Sequence, residues 1–251
     1  MNFQFSEWWR PISIALFIAI LQGCSQIAPS PSGAASWGQV AVAQVEADHH
    51  WYAACFRMPW NGEGRPEWAV DAMLAREVVL PLLERYGEDI PLWRFHRRAG
   101  MDAAGHQFTF LMYTSAPVAD EIQAGIVGNP LVASLQKAGY LKSVVRTCRG
   151  SEPSADISAH SDPGWHPHIQ KTWPYYIMGV SASWLSLIDG VSAEIGDASE
   201  PKSVAELLAH YQAVHEGATE IWQGQGQHAY IHHLSAIFAY EPLLIQRFIG
   251  F

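Results

Sequence analysis

From residue 50 onward the apolar positions keep two rhythms, and each change of rhythm marks an element. An aromatic-rich stretch over 50–58, closed by Pro59 and the Asn61-Gly62 turn, predicts a strand. Over 66–86, Trp68, Val70, Ala72, Met73, Leu74, Val78, Val79, Leu82 and Leu83 fall at mostly helical spacing and stop before Gly87, which predicts a helix. Two short stretches, 91–98 and 106–114, alternate with period two and are joined by a loop over 99–105 containing Gly and Asp, the pattern of a hairpin. A second helix over 117–138, interrupted at Asn129-Pro130, leads to a β-branched strand over 141–148.

The order βαββαβ predicts a ferredoxin-like, or split βαβ, arrangement over 49–150: a four-stranded antiparallel sheet with two helices on one face. In that topology the first and last strands are neighbours, with Ala53 opposite Arg146. Straight extrapolation sets Cys55 near Val144 and Cys148 near Trp51, the sulfurs on the order of 13 Å apart at about 3.3 Å per residue. A bridge needs Cα atoms within about 7 Å, so no disulfide is expected, although an oxidising compartment would permit one.

After a polar stretch over 151–164 the rhythm is helical to the end: 172–191, 200–222 and 225–240. The first carries no charge between Lys171 and Asp189, with Thr172 as its cap, and reads as a buried central helix. Its small polar residues, Ser181, Ser183 and Ser186 among them, make it a poor membrane span. The second starts at Ser199-Glu200-Pro201 or at the alternative capping box Ser203 to Glu206. The fold class expected is α+β, with the ferredoxin-like half followed by an all-helical half, 151–251, that packs on the sheet face left open and forms one compact unit with it.

The beginning of the chain follows neither rhythm. A polar stretch with Arg10 and Glu7 precedes ten residues, Ile12 to Leu21, in which only Ser13 is polar. A transmembrane helix needs about 20 apolar residues, whereas a run of about 7–15 is the length of a secretory h-region. The next residues, Leu21-Gln22-Gly23-Cys24, resemble the lipobox of bacterial lipoprotein precursors, in which the cysteine is acylated. The resemblance implies a signal peptide over 1–23, a lipidated Cys24, the bilayer as a partner, and the periplasmic side of the outer membrane as address. Ser25 after the cysteine leans away from inner-membrane retention; the inner membrane and an ordinary signal peptide are the alternatives. Residues 24–48, rich in Ser, Ala, Pro and Gly, read as a flexible tether.

Charge narrows the partners. The formal net charge is −9, with 11 Lys+Arg against 12 Asp+Glu over 25–149 and 3 against 11 from 150 onward. An acidic surface disfavours nucleic acid. An envelope protein or a small anionic ligand is the partner expected, and no cofactor is indicated.

Candidate chemistry is sparse. Arg94, His96 and Arg98 alternate on one strand, so they share a face; with His106 set opposite Arg98, and Arg57 and Arg146 on the outer strands, they form a candidate anion or catalytic patch. The alternative is that acidic residues of the helical half neutralise these cations internally. All 12 histidines follow residue 48. His228 and His232, four apart on one helix face, are a candidate metal pair, but a zinc site needs further ligands and no HExxH or paired-cysteine motif is present. No GxSxG or phosphate-binding glycine loop occurs.

Trp93 to Arg98, then Asp102, then Gly105-His106-Gln107-Phe108 resemble the Trp-rich strand, loop and His-bearing strand of the carboxy-terminal domain of lantibiotic dehydratases, which eliminate glutamate from a glutamylated peptide. That family has arginines after its His where Phe108 and Phe110 stand here. The resemblance therefore implies the fold and not the activity. The function expected is a binding or assembly module of the envelope; the alternative is an enzyme using the Arg/His patch, with or without a metal.

Overall fold

Strand pairing and helix packing both follow from which face of the sheet each side chain takes. The computed structural model describes residues 48–61, 64–98, 105–148, 151–196 and 203–243. The signal segment, Cys24, nearly all of the tether and most of the hairpin loop lie outside these residues. The sheet has four strands, His49–Met58 (β1), Leu92–Arg98 (β2), His106–Ser115 (β3) and Ser143–Val145 (β4), in the order β2-β3-β1-β4, and every pairing is antiparallel. Between β1 and β2 run Trp68–Leu74 (α1), a π-helical turn Ala75–Val79 and Leu80–Tyr86 (α2); between β3 and β4 run Ala116–Val127 (α3) and Pro130–Lys137 (α4). The break between α3 and α4 falls where Asn129 caps the second helix through Leu131 N at 2.8 Å. The protein is thus of mixed α+β class.

Register separates two faces. Because Phe56 lies opposite Phe108, and Phe95 opposite Phe110, the first face carries Ala54, Phe56, Met58, Phe95, Phe108, Phe110 and Met112, all buried against α1, α3 and α4. The second face carries Trp51, Ala53, Cys55, Leu92, Leu111 and Tyr113.

The later helices do not simply cover the second face. Pro167–Ile195 (α5) begins over it with Tyr175 and Met178, passes the edge strand β2, where Ser181 Oγ accepts Phe95 N–H at 3.1 Å, and ends in the first core with Leu185, Ile188 and Val191. That hydroxyl occupies a backbone donor that an edge strand otherwise leaves open. Val204–Gly226 (α6) joins the same core through Tyr211 and Val214. The rest of the second face is closed by the segment after β4: Trp51 N–H donates to Ser154 O at 2.8 Å and its indole to Ile157 O at 3.1 Å.

Four expectations are corrected here. Cys55 and Cys148 form a disulfide with Cα atoms 6.3 Å apart. Cys55 does pair within one residue of the expected place, at Val145, but β4 stops there, and the chain leaves the ladder and turns beneath the sheet. Helix α5 is not buried all round. It buries one stripe, while Tyr176 and Val180 on the other side are about half exposed. Its cap is His166, whose ring accepts His168 N–H, and Thr172 sits inside the helix. Ser203 and Glu206 form the capping box that starts α6. No break follows α6: it continues through a π-helical turn, Gln227–His232, into His233–Ile237 (α7). Among the described residues no helix is long and apolar enough to cross a membrane.

Candidate functional site

The candidate patch divides between the two faces of the sheet. Arg57, Arg94, His96 and Arg98 lie on the second face, Arg98 and Arg57 both opposite Gln107. His106 lies on the first face, because Arg98 pairs with Gln107 and not with His106; a one-residue offset moves a side chain through the sheet. Arg146 follows the end of β4 and forms an exposed ion pair with Asp120. The structure therefore brings four of the six together and sends two elsewhere.

Within the group of four, Arg94 is the most unusual. Its guanidinium is almost fully buried, stacks 4.7 Å from the Trp173 ring and leaves Nε without a hydrogen bond among the described residues. Burial lowers its pKa to about 10. His96 is exposed, yet loss of water around it, with Arg94 and Arg98 nearby, lowers its pKa.

On the first face the chemistry is tighter. Asp71 of α1, fully buried, accepts His106 Nε2–H at 2.7 Å on one carboxylate oxygen and Arg97 Nε–H at 2.6 Å on the other. His106 Nδ1–H donates to Arg98 O at 2.8 Å. Both ring nitrogens thus face acceptors, which fixes the ring between α1 and the end of β2. Arg97 keeps its positive charge. It is held between the rings of Trp68, at 4.4 Å, and Trp184, at 4.9 Å, and its Nη2 makes no hydrogen bond among the described residues. Gly105, at φ +78°, sets the start of β3, since any Cβ there would run into the Met58 carbonyl oxygen.

Arg97 lines a groove of about 1020 Å³ between the β2 edge, α5, α6 and the helical run after α6. The walls are mainly apolar, with Tyr176, Val180, Trp184, Trp222, Ile231 and Leu234 prominent. His96, His215 and His233 line it as well. His215 is half buried; desolvation first, and Arg97 second, lower its pKa against the opposing charges of Asp71 and Glu216.

A separate network fixes the wall helices. Arg76 Nε–H donates to Asp189 at 2.9 Å and Nη1–H to Glu77 at 2.8 Å, and Tyr211 O–H donates to Glu77. Burial and the bond to Glu77 push the Tyr211 phenol up. One arginine thereby ties the π-helical turn to α5 and α6.

The rings of His228 and His232 lie 5.4 Å apart, with His233 at 5.5 and 5.6 Å from them. Among the described residues no group of three or more His, Cys, Asp or Glu side chains is arranged to hold a metal ion.

Sequence reasoning passed over Asp71 and Arg97, though both leave a signal. Asp71 is the one charge in Trp-Ala-Val-Asp-Ala-Met-Leu, a helix stretch otherwise wholly apolar, and Arg97 alternates with Trp93 and Phe95 on the apolar face of its strand. A charge inside an apolar pattern needs a buried partner. Here each is the other's. Compared with known proteins, the chain matches no family model, no curated protein and no solved structure.

Proposed function

We propose that this chain is a lipid-anchored protein of the bacterial envelope, acylated at Cys24 and facing the periplasm from the outer membrane, whose body binds a ligand and does not transform one. The groove beside β2 carries this reading: it has the size of a small-molecule site, about 300–1,000 Å³, with mainly apolar walls and a few polar groups. The obvious acid–base pair nearby, Asp71 and His106, is fully buried and spent on holding Arg97 and the Arg98 carbonyl. The disulfide supports an oxidising compartment. We also read the body as ferredoxin-like, on the support of the strand order β2-β3-β1-β4 with helices in both crossovers.

An enzyme is the second reading, favoured by one observation: His96, His215 and His233 share the groove with Arg97. The address is tested by metabolic labelling with a clickable palmitate analogue, comparing wild type with Cys24→Ala and following membrane fractionation. Loss of both label and membrane association in the variant is expected. A wild type that never takes the label would overturn the anchor and the envelope address with it.

A further inference from the structure

Arg97 has a carboxylate partner; Arg94, on the other face of the same strand, has none among the described residues. Arg94 is 7% exposed, and its contact is the Trp173 ring at 4.7 Å, which attracts the charge but leaves the N–H donors unused. Nε is sealed from solvent without an acceptor. Nη1 and Nη2 also lack acceptors among the described residues, and they form the part of the guanidinium that still reaches solvent. Burial alone acts on its pKa and leaves it at about 10, so the side chain is charged at neutral pH and no neighbouring carboxylate offsets it. A buried charge without a counter-charge is among the costlier features a fold can carry.

The surroundings add positive charge and few acceptors. Arg57 and Arg98 stand on the same face of the sheet. At His96 burial first and Arg94 second disfavour the charged ring; at His160 burial again leads and Arg94 acts in the same sense, against the bond to the Glu152 carbonyl. In the segment that closes this face, Asp156 accepts the Ser158 N–H at 2.9 Å and its hydroxyl at 2.8 Å, while Glu152 acts on His160. Two further buried donors of the face, Arg57 Nε and the Tyr175 hydroxyl, make no hydrogen bond among the described residues. Water at Arg94 would satisfy an N–H and leave the charge unbalanced. An anion would do both.

One guanidinium balances one negative charge, and the narrow approach admits a small ligand. The planar fork of Nη1 and Nη2 matches the two oxygens of a carboxylate; a halide meets it at a single point, and a dianionic phosphate brings a charge too many. We propose that Arg94 binds a small monocarboxylate of about the size of acetate, held bidentate by Nη1 and Nη2 between β2 and the start of α5. Trp173 is a positioning residue, which holds the guanidinium without reaching the ligand. Arg94 does not line the groove beside β2, so the two sites are independent.

The test follows the urea midpoint of the full chain in a non-ionic detergent, at neutral pH, as sodium chloride is replaced by sodium acetate and then by sodium phosphate at constant ionic strength. A ligand that binds the folded state and not the unfolded one raises the midpoint with its concentration. Acetate should raise the wild type more than Arg94→Met, whose own response measures the general effect of acetate on folding. Arg146→Met, which loses an exposed arginine instead, should respond as the wild type does. Arg94→Lys keeps the charge without the fork and should bind acetate about tenfold more weakly, the scale of one charge-assisted hydrogen bond; it carries the comparison if Arg94→Met does not fold. Line broadening of carbon-13 acetate reads the same binding without unfolding, and should be present with the wild type and with Arg146→Met and absent with Arg94→Met. Parallel acetate responses of the wild type and the Arg94 variants, with equal line widths, overturn the site. A larger rise in phosphate than in acetate, over that of Arg94→Met, overturns the carboxylate assignment.

Discussion

Two histidines of the candidate patch have opposite fates. His106 is fully buried with both nitrogens engaged, whereas His96 is exposed beside the groove. His106→Gln leaves at least one of Asp71 and Arg98 O without its donor, a loss of about 1–3 kcal/mol; His96→Gln should stay within about 0.5 kcal/mol of wild type, as exposed substitutions usually do. Urea unfolding midpoints measure both, and equal midpoints would mean that the Asp71–His106 contact contributes nothing. Arg94 gives a contrary expectation. Its charge is buried and meets a ring instead of a carboxylate, so Arg94→Met, which keeps the bulk and removes the charge, should leave stability unchanged or raise it by up to about 3 kcal/mol. A lower midpoint would mean that the Trp173 stack outweighs the cost of burial.

The elements were legible where a period ran long enough to fix them. The strands 50–58, 91–98 and 106–114, and the break at Asn129-Pro130, stand within a few residues of their expected places because alternation and proline are local signals. What failed was extrapolation beyond a strand's end. The β4 segment is only three residues long, and a chain that has left the ladder no longer advances by the strand rise, so the spacing of Cys55 and Cys148 could not be read from register. The same limit misplaced His106: hairpin pairing depends on the loop, and one residue of offset exchanges the two faces. The disulfide closes a separation of 93 residues. Removing it by Cys55→Ser with Cys148→Ser should cost about 2–4 kcal/mol, the usual range for a native bridge, read as a fall in urea midpoint that reductant reproduces in the wild type and leaves unchanged in the variant. A wild-type midpoint indifferent to reductant would count against the bridge.

At the scale of the whole molecule, the sequence conveys the class and the charge balance but not the path of α5 across the β2 edge, because that path is set by tertiary contacts between Ser181, Phe95 and Trp184 and not by any period in the helix. The groove arises from that path, and the acid response expected of the protein belongs to the same scale. Three histidines on separate parts of the body, His96 on β2, His160 before α5 and His215 on α6, are each held below the ordinary histidine pKa. Partial loss of water is the largest cause in every case, reinforced by Arg94 and Arg98 at His96, by Arg94 at His160 and by Arg97 at His215. Against these act the Glu152 carbonyl bond and charge at His160, and Asp71 and Glu216 at His215. The unfolded chain therefore binds protons at these rings at a higher pH than the folded one does. The stability that comes from keeping them neutral is complete above the unfolded value of about 6.5 and is lost as the pH falls below it. The urea midpoint should accordingly hold level near neutrality and decline from about pH 6.5 downward. The triple substitution of His96, His160 and His215 by Gln should flatten that decline over the window just below 6.5. If the triple variant falls as steeply as the wild type there, the acid sensitivity does not lie in these three rings.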